Sequence, residues 1–276
     1  MTKNPVAIVT GGGTGIGAAT AAILRAQEWD VVVCGRRPDT LDKIAQSTGA
    51  IPVVADVASA GDVERLVETT LERLGAIDGL VLNAGIVRPG TVGELAADDW
   101  DAMVRTNLTG PFLLAKAAMP HLVAAGGSIV GIASASALRA SAGIPGYNAT
   151  KAALTMLMQS IAVDYGPSGV RANAVCPGWT RTEMADMEMD EYGTELGLER
   201  EQAYSLATSF VPSRRPARAA EVGNIVAWLL SEQASYVNAS VIPVDGGMIA
   251  GDPGSLTLDS RVKMSGIQPD HVPARP

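Results

Sequence analysis

The stretch Val6-Ala7-Ile8-Val9-Thr10-Gly11-Gly12-Gly13-Thr14-Gly15-Ile16-Gly17 decides the architecture. A short apolar run, rich in β-branched residues, ends in a glycine-dense turn, and a helical pattern over residues 16–28 follows. Glycines let a backbone turn sharply and approach a pyrophosphate closely. The leading amides and dipole of the next helix attract that negative charge. Gly11, Gly15 and Gly17 make a G-x-x-x-G-x-G spacing, which departs from the usual dinucleotide pattern. Its placement between a first strand and a helix gives the turn its meaning. The expected contacts are Gly11, Gly13, Thr14, Gly15, Ile16 and Gly17.

Outward from this turn, strand-like runs alternate with helical patterns. Strands are expected at Val6–Thr10, 31–34, 51–55, 80–83, Ser128–Ile132, 171–176 and Val241–Val244. Helices are expected at 16–28, 40–47, Ala60–Leu74, 98–124, 147–165 and 219–231. Repeated βαβ units need right-handed crossovers and give a three-layer sandwich. The expected fold is therefore α/β, a Rossmann-type doubly wound parallel sheet with helices on both faces. No repeat or low-complexity linker divides it, so residues 1–250 read as one dinucleotide-binding and catalytic domain. Within it, residues 181–216 lack a strand pattern and sit where a substrate lid would. Residues 251–276 read as a tail, extended or packed on a partner subunit.

The composition agrees with this. Of 276 residues, 47% are apolar, 18% charged and 4% aromatic, as suits helices packed on a sheet buried on both faces. A formal charge of −8 argues against nucleic-acid or anionic-membrane binding. Cys34 and Cys176 sit in apolar segments, as buried reduced thiols do. His121 and His271 lie far apart without ligand spacing, so no metal site is expected. The first residues lack a signal-peptide core, and no apolar stretch reads as long enough to span a bilayer. A cytoplasmic protein is expected.

At the end of the second strand, a site that prefers NAD usually offers an acid about 20 residues beyond the glycines. Here stand Gly35, Arg36 and Arg37; Asp30 is at the wrong end, and Asp39 reads as a helix cap. Two guanidinium groups without a carboxylate suit a 2′-phosphate. NADP(H) is the expected cofactor and NAD(H) the alternative. Further along, Tyr147 and Lys151 are four residues apart and share a helix face, with Ser134 thirteen residues upstream. An ammonium about 4 Å from a phenol favours the phenolate by about 4 kcal/mol at an effective dielectric of about 20. That is about three pKa units, enough for acid–base work near neutral pH. Ser134 lacks the G-x-S-x-G elbow of a hydrolase nucleophile.

Together these residues resemble the short-chain dehydrogenase/reductase family in its common single-domain form, over about Val6 to Met248. The markers are Thr10–Gly17, Asp56-Val57, Leu82-Asn83-Ala84-Gly85, Asn107, Ser134, Tyr147 with Lys151, Pro177-Gly178-Trp179-Thr180-Arg181-Thr182 and Asp245-Gly246-Gly247. The resemblance implies that Asp56 and Val57 hold the adenine, and that Asn83, Ala84 and Gly85 support the sheet and the ribose. Pro177, Gly178, Thr180 and Thr182 would bound the nicotinamide, and Lys151 would reach its ribose. Tyr147 would be the general acid/base, Ser134 the carbonyl-oxygen donor, and the Asn107 backbone the holder of a water linked to Lys151. Leu82 stands where Asn is frequent, and Thr14 replaces a basic residue of some NADP-using relatives. The implied activity is hydride transfer between nicotinamide and a carbonyl or secondary alcohol, in a homotetramer or dimer. An interface through 113–118 and 151–162 is expected. A dinucleotide sensor without chemistry is the reading from another class. Trp179, Met184, Met187, Met189, Tyr192 and Tyr204 read equally as substrate pocket or as core, and Arg139 or Arg181 could meet an acidic substrate.

Overall fold

The computed structural model describes residues 4–252. Its main sheet has seven strands: β1 (Val6–Thr10), β2 (Asp30–Gly35), β3 (Ile51–Val54), β4 (Gly79–Leu82), β5 (Ser128–Ile132), β6 (Arg171–Pro177) and β9 (Val241–Val244). Every pairing is parallel, in the order β3-β2-β1-β4-β5-β6-β9. The chain direction of growth reverses between β1 and β4, which opens a crevice beyond their carboxyl ends. Alternate side chains feed opposite layers. Ile8 joins a core with Leu80, Ile129, Leu114 and Leu154, while Ala7 and Val9 join another with Val33, Val130, Leu24 and Val226.

Helices α1 (Gly15–Ala26), α2 (Pro38–Thr48) and α9 (Ala219–Leu230) cover one face. Helices α3 (Ala60–Leu74), α5 (Gly110–Ala125) and α6 (Pro145–Tyr165) cover the other. Helix α2 begins at Pro38 with Arg37 as its N-cap, so Asp39 is a first-turn residue and not the expected cap. Proline is pre-shaped for the first helical position, which draws the boundary ahead of it.

The expected helix over 98–124 is not uniform. It runs as α4 (Ala97–Val104), a π-helical turn at Arg105–Thr109, and α5. Pro111 has no N–H to return to the Asn107 carbonyl, and its ring would crowd that oxygen in an α-helix. The backbone closes instead from Gly110 N–H to the Arg105 carbonyl. The combined Ala97–Ala125 has the length and a mean hydropathy of 1.2 that a membrane-crossing helix would have, which corrects the expected absence of so long an apolar stretch. Its Met103, Leu114, Ala118 and Leu122 are buried inside the protein.

The segment 181–216 does begin with a strand, contrary to expectation. β7 (Thr180–Arg181) pairs in parallel with β8 (Ala217–Arg218), closing the insertion at its base. Between them, α7 (Glu183–Leu196) and α8 (Arg200–Ala207) share a small core of Ala185, Met189, Ala203 and Tyr204. Of the expected tail, residues 253–276 lie outside the described residues, as does His271.

Candidate active site

The glycine turn is held from below. Thr10 donates its hydroxyl proton to the Val81 carbonyl at 3.1 Å and accepts from the Asn83 and Ala84 amides at 2.9 and 3.0 Å. Asn83 Nδ2 donates to the Thr10 and Gly11 carbonyls at 2.9 and 3.2 Å. A Cβ on Gly17 would stand 2.3 Å from the Gly11 carbonyl oxygen, so only glycine allows this closure. Gly15 has φ +56°, and a Cβ there would meet Thr182 Cγ2 at 3.0 Å. Thr14 caps α1 without a side-chain hydrogen bond, and the first turn holds no acid. With neither a capping side chain nor a first-turn acid on them, the leading amides of α1 are open to an anion. Those residues fit a dinucleotide pyrophosphate.

At the carboxyl end of β2, the two arginines differ. Arg36 is exposed and has no hydrogen-bond or ion-pair partner among the described residues. Arg37 is committed: its Nη1 and Nη2 donate to Glu183 Oε1 and Oε2 at 2.8 and 2.6 Å. The two expected phosphate ligands therefore differ in that Arg37 is already engaged, by a partner 146 residues away in sequence. Beyond β3, the Asp56 carboxylate accepts from Ala58 N–H at 3.0 Å, and the buried Val57 packs on Gly110.

The polar group beyond β5 comes from three elements. Ser134, in extended conformation, accepts from Ser136 N–H at 3.2 Å and lies beside the Tyr147 phenol, whose pKa it lowers. Because α6 starts at Pro145, Tyr147 and Lys151 fall in its first two turns on one face. Lys151 Nζ donates to the Ile132 carbonyl at 2.8 Å and lies 5.4 Å from the Tyr147 ring centroid. Asn107, fully buried in the π-turn, accepts from Ile86 N–H and donates to Ile86 O, both at 2.8 Å, and donates to Thr150 Oγ1 at 3.2 Å. A Cβ on Gly85 would lie 3.2 Å from Lys151 Nζ and 3.4 Å from Asn107 Oδ1, which brings the strand-four marker into the same cluster.

The electrostatics correct one expectation. Burial pushes the Tyr147 phenol up to about 12, and the Glu188 carboxylate pushes the same way, against the Ser134 hydrogen bond. Burial pulls Lys151 down to about 8. The loss of water around the phenolate outweighs the ammonium, whose proton is directed to a carbonyl rather than to the phenol oxygen. Cys176, buried beneath the cluster, is pushed up to about 11 by the same loss of water. Cys34 is likewise buried and pushed up to about 12.

On the opposite wall, Thr180 is buried and donates to the Gly178 carbonyl at 3.0 Å, and Thr182 caps α7 by accepting from Ala185 N–H at 3.2 Å. Met189 and Tyr204 belong to the small core shared by α7 and α8, whereas Met187 and Tyr192 are exposed. Arg181 is paired with Glu201 at 2.7 Å and stacks on Tyr204, and Arg139 donates to the Gly251 carbonyl at 3.1 Å. Ser136 and Ser141 bond each other at 3.0 Å. Sequence reasoning missed Thr10 as the organiser of the turn, as well as Glu183 and Glu188. Thr10 was legible in the motif; the two acids carry no local signal, since α7 is acidic throughout.

Comparison with known proteins closes the question of family. A family profile described as enoyl-(acyl carrier protein) reductase matches residues 11–249. The chain is 37% identical over 255 residues to 2-(R)-hydroxypropyl-CoM dehydrogenase of Xanthobacter autotrophicus, covering 89% of this chain and 98% of that one. The structure of levodione reductase superposes with a TM-score of 0.84 at 34% identity, covering 91% of this chain and all of the other. A variant of actinorhodin polyketide ketoreductase solved with NADPH gives 0.85 at 33% identity, covering 89% and 97%. The chain belongs to the short-chain dehydrogenase/reductase family and is an oxidoreductase of its alcohol-dehydrogenase and carbonyl-reductase class.

Proposed function

We propose that this protein is an NADP(H)-dependent oxidoreductase that interconverts a carbonyl and a secondary alcohol, with Tyr147 as general acid/base. The observation that carries the reading is the meeting of Tyr147 and Lys151 on one face of α6, with Lys151 Nζ 5.4 Å from the Tyr147 ring and Ser134 beside the phenol. The nicotinamide cofactor, when bound, supplies or accepts the hydride. Tyr147 gives a proton to the substrate oxygen during reduction and removes it during oxidation. A phenol pushed up to about 12 is held protonated at neutral pH, which suits the donor role. Ser134 orients the substrate oxygen, as a modest oxyanion donor. Lys151 contributes charge beside the phenol and a donor for the nicotinamide ribose.

Asn107 positions rather than reacts: its amide ties the Ile86 backbone to α6 through Thr150. The π-turn and Pro111 support a carbonyl at Asn107 turned toward a water. The pyrophosphate would lie on Gly11 to Gly17, the adenine on Asp56 and Val57, the ribose by Asn83, Ala84 and Gly85, and the nicotinamide along Pro177, Gly178, Thr180 and Thr182. Arg36 would read the 2′-phosphate. NADPH in the related ketoreductase structure supports that choice, while the engaged Arg37 favours keeping NAD(H) as the alternative. The segment 181–216 would act as the substrate lid. Exposed Phe112, Met156 and Val163 on α5 and α6 support a homo-oligomer, tetramer or dimer, in a cytoplasmic protein. Ala115, Ala118 and Ala162, named from sequence for that interface, face this chain's own core instead.

Spectrophotometry tests the reading. NADPH oxidation with a panel of ketones, lost in Tyr147→Phe, is expected. Full activity in that variant overturns the tyrosine assignment, and cofactor binding without turnover on any carbonyl favours a sensor. Arg36→Asp is expected to move preference toward NADH; an unchanged ratio means another group reads the phosphate.

A further inference from the structure

Two residues from opposite walls of the crevice meet at the bidentate pair Arg37–Glu183. Arg37 is the N-cap of α2, where the second strand has just ended. Glu183 is the first residue of α7, immediately after the Thr182 that packs on Gly15 of the glycine turn. The pair therefore spans the mouth of the crevice at the level of the phosphates. Each partner holds the other's charge in place: Glu183 is pulled below the usual carboxylate range, mainly by its hydrogen bond with Arg37.

We propose that Glu183 is a cofactor-selectivity residue: it occupies Arg37, so a cofactor's 2′-phosphate must displace a carboxylate to gain a second guanidinium. A cofactor ending in a plain 2′-hydroxyl leaves the pair and the base of the lid undisturbed. Two effects act against the phosphate, and both stem from one side chain. Arg37 cannot satisfy a carboxylate and a phosphate bidentately at once, and the Glu183 charge repels an incoming dianion. Arg36 remains a cation of the site with no hydrogen-bond or ion-pair partner among the described residues. The chain thus discriminates less between the two cofactors than its paired arginines suggest. This rests on the reading above, in which the end of β2 receives the adenosine ribose.

Fluorescence titration of NADPH and NADH into the full-length protein tests it, using wild type, Glu183→Gln, Arg37→Gln and the double variant. Both side chains are about half exposed, 52% and 48%, so each variant is expected to fold, with a thermal melt as the check. Glu183→Gln is expected to bind NADPH about fivefold tighter, the scale of an exposed ion pair plus the repulsion removed, with NADH within about twofold. Arg37→Gln is expected to cost little NADPH affinity in wild type and to erase the gain in the Glu183→Gln background. An unchanged NADPH-to-NADH ratio in Glu183→Gln, with NADPH still bound, overturns this inference and leaves the proposed function standing. An equal loss from Arg37→Gln in both backgrounds overturns it as well. Binding of neither cofactor to wild type sinks the proposed function itself.

Discussion

The two walls of the crevice are held by opposite physics. On the nucleotide wall, Thr10, Asn107 and Lys151 are buried, and with Asn83 they spend their hydrogen bonds on backbone groups of neighbouring strands and loops. On the wall built by residues 181–216, Arg181–Glu201 and Arg200–Asp190 join exposed side chains over a core of only a few residues, and Glu183 reaches across to the equally exposed Arg37. A buried polar network is costly to break, because each orphaned partner keeps its desolvation penalty. Exposed ion pairs are each worth little and are screened by salt. On the proposed function, the contrast would put the chemistry on a stiff wall and leave the substrate side adjustable.

The sharpest way to break this contrast is at the phenol. Tyr147→Phe is expected to lower kcat by about 10³-fold while NADPH affinity stays within about threefold, read by steady-state kinetics and fluorescence titration. Next, Asn107→Ala should cost about 3 kcal/mol of unfolding free energy in urea, since it strands both backbone groups of Ile86. A loss below about 1 kcal/mol would show that the nucleotide wall is not stiff where the π-turn meets it.

Lys151 provides a pH test. Its folded value of about 8 lies below its ordinary 10.5, so between these values the unfolded chain binds more protons than the folded one. Stability from this group therefore rises with pH across that window. Wild type should gain on Lys151→Met between about pH 8 and 10, measured by urea unfolding. Above the ordinary tyrosine value of 10, Tyr147, pushed up to about 12, acts in reverse and stability falls.

A smaller effect links the walls. Glu188, half-buried on α7 with no hydrogen-bond or ion-pair partner among the described residues, raises the Tyr147 phenol by its charge. Glu188→Gln should move the ascending limb of the alcohol-oxidation pH profile, where the phenol deprotonates, to lower pH; an unmoved limb means Glu188 does not tune the phenol. The smallest effect is expected at Arg181→Gln or Glu201→Gln, which should shift the overall Tm by less than about 2 °C. Both should nevertheless quicken proteolysis of the lid, as should about 0.5 M salt on wild type.

The nucleotide wall was legible in the sequence because its signals are local. The glycine turn, the strand-four marker and the Tyr147/Lys151 spacing each lie within a few residues, and each fell where expected. The π-turn was less legible, although Pro111 four residues after Asn107 carried the cause. On the lid wall, acids and arginines are numerous and their partners are distant, so no spacing rule selects Glu183 for Arg37 or Glu201 for Arg181.

The amino-acid order by itself determined the βαβ alternation, the glycine turn that opens the first helix and the shared helical face of phenol and ammonium. These follow from covalent geometry and from periods of two and 3.6 residues. Only the tertiary structure decided the protonation of Tyr147 and the engagement of Arg37. Desolvation and charge pairing depend on what packs around a group, and those neighbours are far away along the chain.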